Sequence, residues 1–501
     1  MVCLFVPFYL NVKGVNLYLN LSVFKHAKIY KAYISKPQMR EGLGAYADAE
    51  GFIDLKKVYA DGKQSEFFPD ILPELVDIIA RDFPELEKRR IYFDNAATSQ
   101  EPQSVRDLAF SRRRNFLRGS NHSKNSEEAK RAQREYELCK DSLKSFFHAD
   151  NYDIGFTSGT TESSNLVSTR FAFNKGDLLI LTEMEHTSQM VTARNFAKLN
   201  GADVEYVPVS PFDGRLDLGF LQSIVEHYKP GKILMNLVHV SNVTGIINPV
   251  SEIKSILGKD AKIYLDIAQS AGHLPINLDE LDVDFAGASS HKMYGPMGVG
   301  ALFVKKSSQQ YLNNLVMGGG AVKYVTLDYD TSAEAGERFE LGTRNLEGIL
   351  EWKFAIDWLE SIGLERAHKH ETGVASYFIS ELKKIKSVNI LGLDNFSKGD
   401  KTGVIAFNVG EHKLKNHQKV AVALDNYGIS VRNGCFCARP YIAKLMGFHQ
   451  LPLQEILDAK QEGRELQLPG AIRISFGLYN TLEEADKAIY AIRSIAKQEL
   501  S

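Results

Sequence analysis

The chain has 501 residues, 44% of them hydrophobic and 24% charged. This suggests one large domain with additions, or two to three domains, and excludes disordered, collagen-like and fibrous classes. The 60 basic side chains against 62 acidic ones leave a formal charge of −2, so there is no global electrostatic case for nucleic acid or an anionic membrane as partner.

The apolar start of the chain, 1–10, is cut by Asn11 and Lys13, well short of the roughly 20 residues that a membrane span needs. The first 40 residues carry six Lys or Arg and no acid. They read as a loosely packed extension or a start placed too early, with Met39 the alternative start; an organellar presequence is the second reading. Residues 41–63 read as an irregular arm, and a helix is expected after Pro73, where Leu75, Ile78, Ile79 and Phe83 recur at helical spacing. A short strand then runs into the turn Asp94-Asn-Ala-Ala-Thr98, followed by a charged helix over 126–147.

From there strands and helices alternate. Strands are expected at 177–182, 204–209, 232–238, 263–266 and 301–304, with helices at 190–200 and 218–228. That pattern predicts an α/β fold with a parallel or mixed sheet covered on both faces. After about residue 345 come helices at 348–362, 367–385 and 418–427 and strands at 388–391, 404–409, 429–432 and 472–476, which read as a smaller α+β domain.

Four segments carry chemistry. In Gly287-Ala-Ser-Ser-His-Lys-Met-Tyr-Gly-Pro-Met-Gly-Val-Gly300, Lys292 lies between hydroxyl and imidazole residues in a pliable loop. Such a lysine is either an ordinary loop residue or one kept from water to form an imine with an aldehyde cofactor. Asp266 ends an apolar strand; it is either a helix cap or the partner of a buried cation such as a protonated pyridine nitrogen. Thr157-Ser-Gly-Thr-Thr-Glu162 opens a helix, and its amides and dipole suit a phosphate, although a plain N-cap reads the same way. His186 follows a strand, at a sheet edge where it can stack on a flat cofactor; a lone histidine there is equally a structural one.

Together these segments resemble fold type I pyridoxal-phosphate enzymes, and more narrowly the class V aminotransferases that include the cysteine desulfurases. Further matching motifs are Ser241-Asn-Val-Thr-Gly245, Asp266-Ile-Ala-Gln269, Glu340-Leu-Gly-Thr-Arg-Asn345 and Val431-Arg-Asn-Gly-Cys-Phe-Cys-Ala438. The resemblance implies a PLP-dependent transferase fold: an N-terminal extension at 1–72, a helix and strand at 73–93 belonging to the small domain, a large cofactor domain at 94–345 and a small domain at 346–501. It implies pyridoxal 5′-phosphate on Lys292, with Asp266 at the ring nitrogen, Gln269 at the phenolic oxygen and His186 stacked on the ring. Thr160, Ser289 and His291 are the implied phosphate ligands, with Thr343 contributed by the second subunit of a homodimer, and Thr161 is a further implied cofactor-binding residue. Asn165, Arg473, Arg432 and His122 are implied near the substrate, Arg473 clamping its carboxylate.

Cys437 matches the position of the desulfurase cysteine that takes sulfur from L-cysteine, leaving L-alanine and a persulfide for an acceptor protein. Cys435 stands two residues before it. The pair could be a metal fragment, but no second Cys or His pair accompanies it at ligand spacing; it could also be inert, or Cys435 could resolve or protect Cys437. Thr187 stands where many desulfurases carry a second histidine, and Arg344 where proline is common. The expectation is a cytoplasmic cysteine desulfurase, cytoplasmic because four cysteines in so long a chain fit a reducing compartment. The alternative is another class V enzyme, an aminotransferase, epimerase or C–S lyase, in which Cys437 is passive.

Overall fold

The computed structural model describes residues 90–501 except 121–124, 229–230, 315–317, 334, 397–398, 411–415, 449–452, 464–465, 467 and 500–501. Before residue 90 it describes 82–84, 86 and the backbone of four strands, Phe5–Val12, Val15–Phe24, Ala27–Ile34 and Phe52–Asp54, which pair antiparallel in chain order. Most of the helix expected after Pro73, and His122, lie outside the described residues.

Seven strands form the larger sheet: β1 Tyr152–Thr157, β2 Leu178–Thr182, β3 Asp203–Val207, β4 Ile233–Val238, β5 Lys262–Asp266, β6 Phe285–Ser289 and β7 Gly300–Lys305. Their order is β1-β7-β6-β5-β4-β2-β3, and only β7 pairs antiparallel to its neighbours. The strands read as apolar runs because both faces are covered. Leu178 and Ile180 of β2 face one helical layer while Leu179 and Leu181 face the other, the two-residue period of a pleated strand. The first layer holds helices α1 Gln103–Asn115 and α2 Glu127–Phe147; the second holds α3 Thr160–Arg170 and α4 Thr187–Leu199. Helix α2 starts where the Ser126 side chain accepts from the Ala129 N–H and stops at His148, left-handed at φ 45°.

Strands β1 and β6 were not anticipated, and the stretch read as a loop from Gly287 begins inside β6. The glycine and small residues of β6 hide its β-propensity, whereas β1, Tyr-Asp-Ile-Gly-Phe-Thr, is rich in strand formers and was overlooked beside the helix start that follows it. Gly287 is there for packing: a Cβ on it would overlap the Tyr264 hydroxyl of the neighbouring strand.

A second, antiparallel sheet contains β8 Val388–Ile390, β9 Val404–Val409, β10 Arg432–Gly434 and β11 Ala471–Ser475, in the order β8-β9-β11-β10. The helices Leu364–Leu382, Asn416–Asn426 and Leu482–Glu499 pack on it through Phe378, Leu424 and Ile492. Phe93 belongs to this core, and Ile91–Tyr92 pairs with Ile429–Ser430. The 94–98 turn ties the two sheets together. The Ala96 N–H donates to Ser475 Oγ at 2.9 Å, and the neighbouring Ser99 N–H donates to the His291 carbonyl at 2.9 Å. Among the described residues no helix is long and apolar enough to cross a membrane.

Candidate active site

A cavity of 360 Å³ opens where the carboxyl ends of β2, β5 and β6 meet the 94–98 turn and the edge of the second sheet. Ligands collect at such strand ends because the chain leaves the sheet there in loops and helix N-termini. Thr160, Thr161, His186, Asp266, Gln269, Ser289, His291, Lys292, Arg432, Cys437 and Arg473 all line it.

The floor is built from strand ends. Asp266 closes β5, its carboxylate accepting from Gln189 Nε2 at 2.9 Å and from the Ala268 N–H at 2.8 Å. Two donors fix that carboxylate in place at the cavity. Glu185 lies beside it, accepting from Thr182 Oγ1 and the Val238 N–H, and burial pushes it up to about 8. His186 caps α4, its Nδ1 accepting from the Ser188 N–H at 3.2 Å. Burial lowers the His186 pKa, with Asp266 pulling the other way, which favours the neutral imidazole. Burial also lowers Lys292, opposed by Asp266, which favours the free amine that an imine-forming lysine needs.

One wall is an anion cradle. The Thr160 N–H, at the start of α3, donates to Ser289 Oγ at 2.8 Å, and the Thr160 and Ser289 hydroxyls are 2.8 Å apart. The backbones must touch here: a Cβ at Gly300 would come within 2.5 Å of the Gly159 Cα. His291 is pushed down to about 4, first by burial and then by Lys292.

The opposite wall comes from the second sheet. Arg473 is 3% exposed. Its Nη2 donates to Asp94 Oδ1 at 2.8 Å and its Nη1 to the Asn242 carbonyl at 3.0 Å. Arg432 approaches the other Asp94 oxygen at 3.9 Å. Cys437 is exposed at the cavity, and Cys435 is half-buried.

Asn165 does not join them. It lies five residues past Thr160, about 140° around α3, and its carbonyl accepts from Thr169 Oγ1 within the same helix. The asparagine that lines the cavity is Asn242, in the turn after β4. Its sequence signal was the Ser241–Gly245 motif, quoted above without a role. Gln189 was also missed; three residues after His186 on a helix, it shares that residue's face. Gln269 donates through Nε2 to the Ala96 carbonyl at 2.7 Å, so one amide hydrogen serves the 94–98 turn. Thr343 is exposed and lines a different cavity, with Arg112, Arg118 and Arg344.

A model of the aminotransferase class-V family matches residues 91–488. Among curated proteins, the cysteine desulfurase of Serratia proteamaculans is 32% identical over 433 residues, covering 84% of this chain and 98% of its own. That of Haloferax volcanii is 31% identical over 447 residues, covering 84% and 96%. Among solved structures, the apo cysteine desulfurase of Thermococcus onnurineus has a TM-score of 0.73 at 29% identity, covering 85% of this chain and 99% of its own. The Escherichia coli cysteine desulfurase CsdA, as its S-sulfonic acid, has a TM-score of 0.71 at 25% identity, covering 85% and 99%.

The chain therefore belongs to the class V aminotransferase family, and its architecture is the fold type I expected for it. The family's cofactor is pyridoxal 5′-phosphate, and the cavity fits that group. His291 Nδ1, Asn242 Oδ1 and Arg473 Nε belong to lining residues and are buried with no hydrogen-bond partner among the described residues. Three such orphans are costly unless a polar ligand meets them. The paired hydroxyls of Thr160 and Ser289 suit a phosphate, and Asp266 suits a ring N–H.

Proposed function

We propose that this enzyme is a cysteine desulfurase, taking sulfur from L-cysteine to give L-alanine and a persulfide on Cys437. The observation that carries this reading is that one 360 Å³ cavity joins Lys292, Arg473 and Cys437. These are the groups that the α-carbon, the carboxylate and the sulfur of one small amino acid require.

Bound pyridoxal phosphate supplies the electron sink that makes the α-proton of the substrate acidic and stores its electron pair. Asp266 keeps the ring nitrogen protonated. Lys292 takes the α-proton and returns a proton to the product, a task for which its lowered pKa suits it. Arg473 holds the substrate carboxylate, offering its buried, unpaired Nε. The Cys437 thiolate attacks the substrate sulfur: an S–S bond forms, the Cβ–S bond breaks with its electrons going to the carbon side, and protonation there leaves alanine. A sulfur-acceptor protein or a thiol reductant then discharges the persulfide.

A homodimer and a cytoplasmic location belong to the same proposal. The dimer is supported by a projecting hairpin, 322–332, with Tyr324, Val325, Leu327 and Tyr329 exposed. Its base is tied to the segment before Thr343 by the Gly342 N–H donating to the Gly319 carbonyl at 2.7 Å. Such an exposed apolar group marks a protein contact, and Thr343 in that contact serves the partner's cofactor phosphate.

The test is alanine and sulfide release from L-cysteine, with a reductant, by the PLP-loaded enzyme and its Cys437→Ala variant. A fall of about 100-fold or more, with the cofactor's visible absorbance retained, is the expected result. Unchanged alanine release would take the sulfur-carrier role from Cys437.

A further inference from the structure

The turn that carries Cys437 has a conformation that its own residues disfavour. Phe436 and Cys437 have φ of 52° and 56°, and the Ala438 N–H donates to the Cys435 carbonyl at 2.8 Å. A four-residue turn with both central residues left-handed has type I′ character, the geometry that Asn-Gly favours. For residues with a side chain, each left-handed position costs about 1–2 kcal/mol, so the turn persists only where its surroundings over-determine it.

The restraints come from three elements. Asn242 Nδ2 donates to the Phe436 carbonyl at 2.6 Å. The Arg473 guanidinium lies 5.0 Å from the centre of the Phe436 ring. The Cys437 carbonyl receives two donors from a single residue, the Thr187 N–H and the Thr187 Oγ1–H, each at 2.7 Å.

Those two donors differ in origin. Thr187 opens α4, so its N–H is one that the helix leaves unpaired, and almost any residue could supply it. The hydroxyl belongs to this side chain alone and is not needed to start the helix, which His186 already caps. Two donors on one carbonyl fix the peptide plane that follows Cys437, and with it the direction of the Cys437 side chain. Without the hydroxyl the plane keeps the Thr187 N–H on its carbonyl and the Ala438 N–H bond to the Cys435 carbonyl, but the hold on the carbonyl is weaker and the strained turn leaves its left-handed state more easily. Nucleophilic attack needs reacting atoms about 3–3.5 Å apart, and a misplacement of about 1 Å can cost about 100-fold in rate.

We propose that Thr187 is a positioning residue for the sulfur-accepting thiol, its hydroxyl locking the strained 435–438 turn through the Cys437 carbonyl. The proposal rests on the reading of Cys437 as the sulfur carrier. It also gives the thiol and the His186 ring one anchor, the first turn of α4.

The experiment compares wild type, Thr187→Val, Thr187→Ser and Cys437→Ala as PLP-loaded enzymes. It measures kcat and KM for L-cysteine, the cofactor's absorbance, and the rate at which iodoacetamide labels Cys437, read by peptide mass spectrometry. Thr187→Val is expected to lower kcat about tenfold or more, with KM and absorbance within about twofold of wild type. Its Cys437 is expected to label at a rate changed by at least about threefold. Thr187→Ser, which restores the hydroxyl, is expected to recover kcat to within about threefold. A wild-type kcat in Thr187→Val overturns the proposal, as does an equal loss in Thr187→Ser. If Cys437→Ala is inactive while Thr187→Val behaves as wild type, only the positioning role fails. If Cys437→Ala keeps the wild-type rate, the carrier reading fails and the proposal with it.

Discussion

The floor of the cavity and the turn above it are built on opposite principles. Asp266, His186 and Ser289 stand at the ends or edges of fully buried strands, where the sheet itself sets their positions. Their polar atoms are satisfied by neighbours in relaxed geometry, as where Asp266 accepts from Gln189 and the Ala268 amide. The Cys437 turn has no sheet to define it. It is left-handed at two successive side-chain-bearing residues and is held by donors from Thr187 and Asn242. The contrast fits the proposed tasks: a cofactor cradle gains from rigidity, whereas a thiol proposed to reach a substrate and then meet an acceptor gains from being held by a few separable contacts.

Removing the reactive group of the floor should have the largest effect. Lys292→Ala is expected to lower alanine formation from L-cysteine by about 1000-fold or more, and to leave no cofactor covalently retained after borohydride treatment. A residual rate above about a hundredth of wild type would break the contrast, because the floor would then not hold the reactive group.

Phe436→Gly asks whether strain or burial dominates the turn. Glycine relieves about 1–2 kcal/mol of left-handed strain, but removing a buried phenylalanine costs about 3–5 kcal/mol. Burial wins, and thermal unfolding should fall by several degrees, for a net loss of about 2 kcal/mol. An unchanged or raised Tm would mean that the ring contributes little and the strain much more than these magnitudes allow.

Asp94→Asn sharpens the boundary between the two regions. Asp94 pairs with Arg473, the group proposed to hold the substrate carboxylate. Without the competing charge, the KM for L-cysteine should fall about two- to fivefold. A higher KM would show Asp94 to be an orienting partner instead of a competitor.

The smallest expected effect is a pH dependence of stability from histidines buried near the strand ends. Burial pushes His239 down to about 4, and His291 to about 4 with help from Lys292. Unfolded histidine takes up its proton near 6.5, which the folded protein refuses until about 4. The contribution of these groups is therefore full above about 6.5 and is lost as the pH falls toward 4. His239 Nδ1 lies 3.0 Å from Ser270 Oγ, a contact that asparagine can imitate. In His239→Asn the loss of Tm between pH 7.5 and pH 5 should be smaller than in wild type, and an identical loss would remove His239 from the account.

Much of the larger sheet was legible because its strands are short apolar runs between helices of clear 3.6-residue period. The expected strand at 177–182 is observed at Leu178–Thr182, and the helix at 126–147 at Glu127–Phe147. Strand β6 was not legible, because Phe-Ala-Gly-Ala-Ser has no strand signature until Tyr264 is seen to demand the glycine. Asn165 and Asn242 show the same limit in the site. Both are asparagines near motif residues, and only the direction each leaves its element separates the one that reaches the cavity from the one that does not.

The amino-acid order alone carried chemical types: a lysine, an acid, an imidazole, an arginine and a thiol, each in a local context that admits a catalytic or binding role. Local context suffices for that, because strand ends, helix starts and glycine-rich turns are written over a few residues. Packing of the two sheets settles which groups share the cavity and how the thiol is aimed. Asp94 meets Arg473 across 379 positions and Thr187 meets Cys437 across 250. Contacts at that separation arise only once the two sheets have packed together, so no local pattern in the chain can record them.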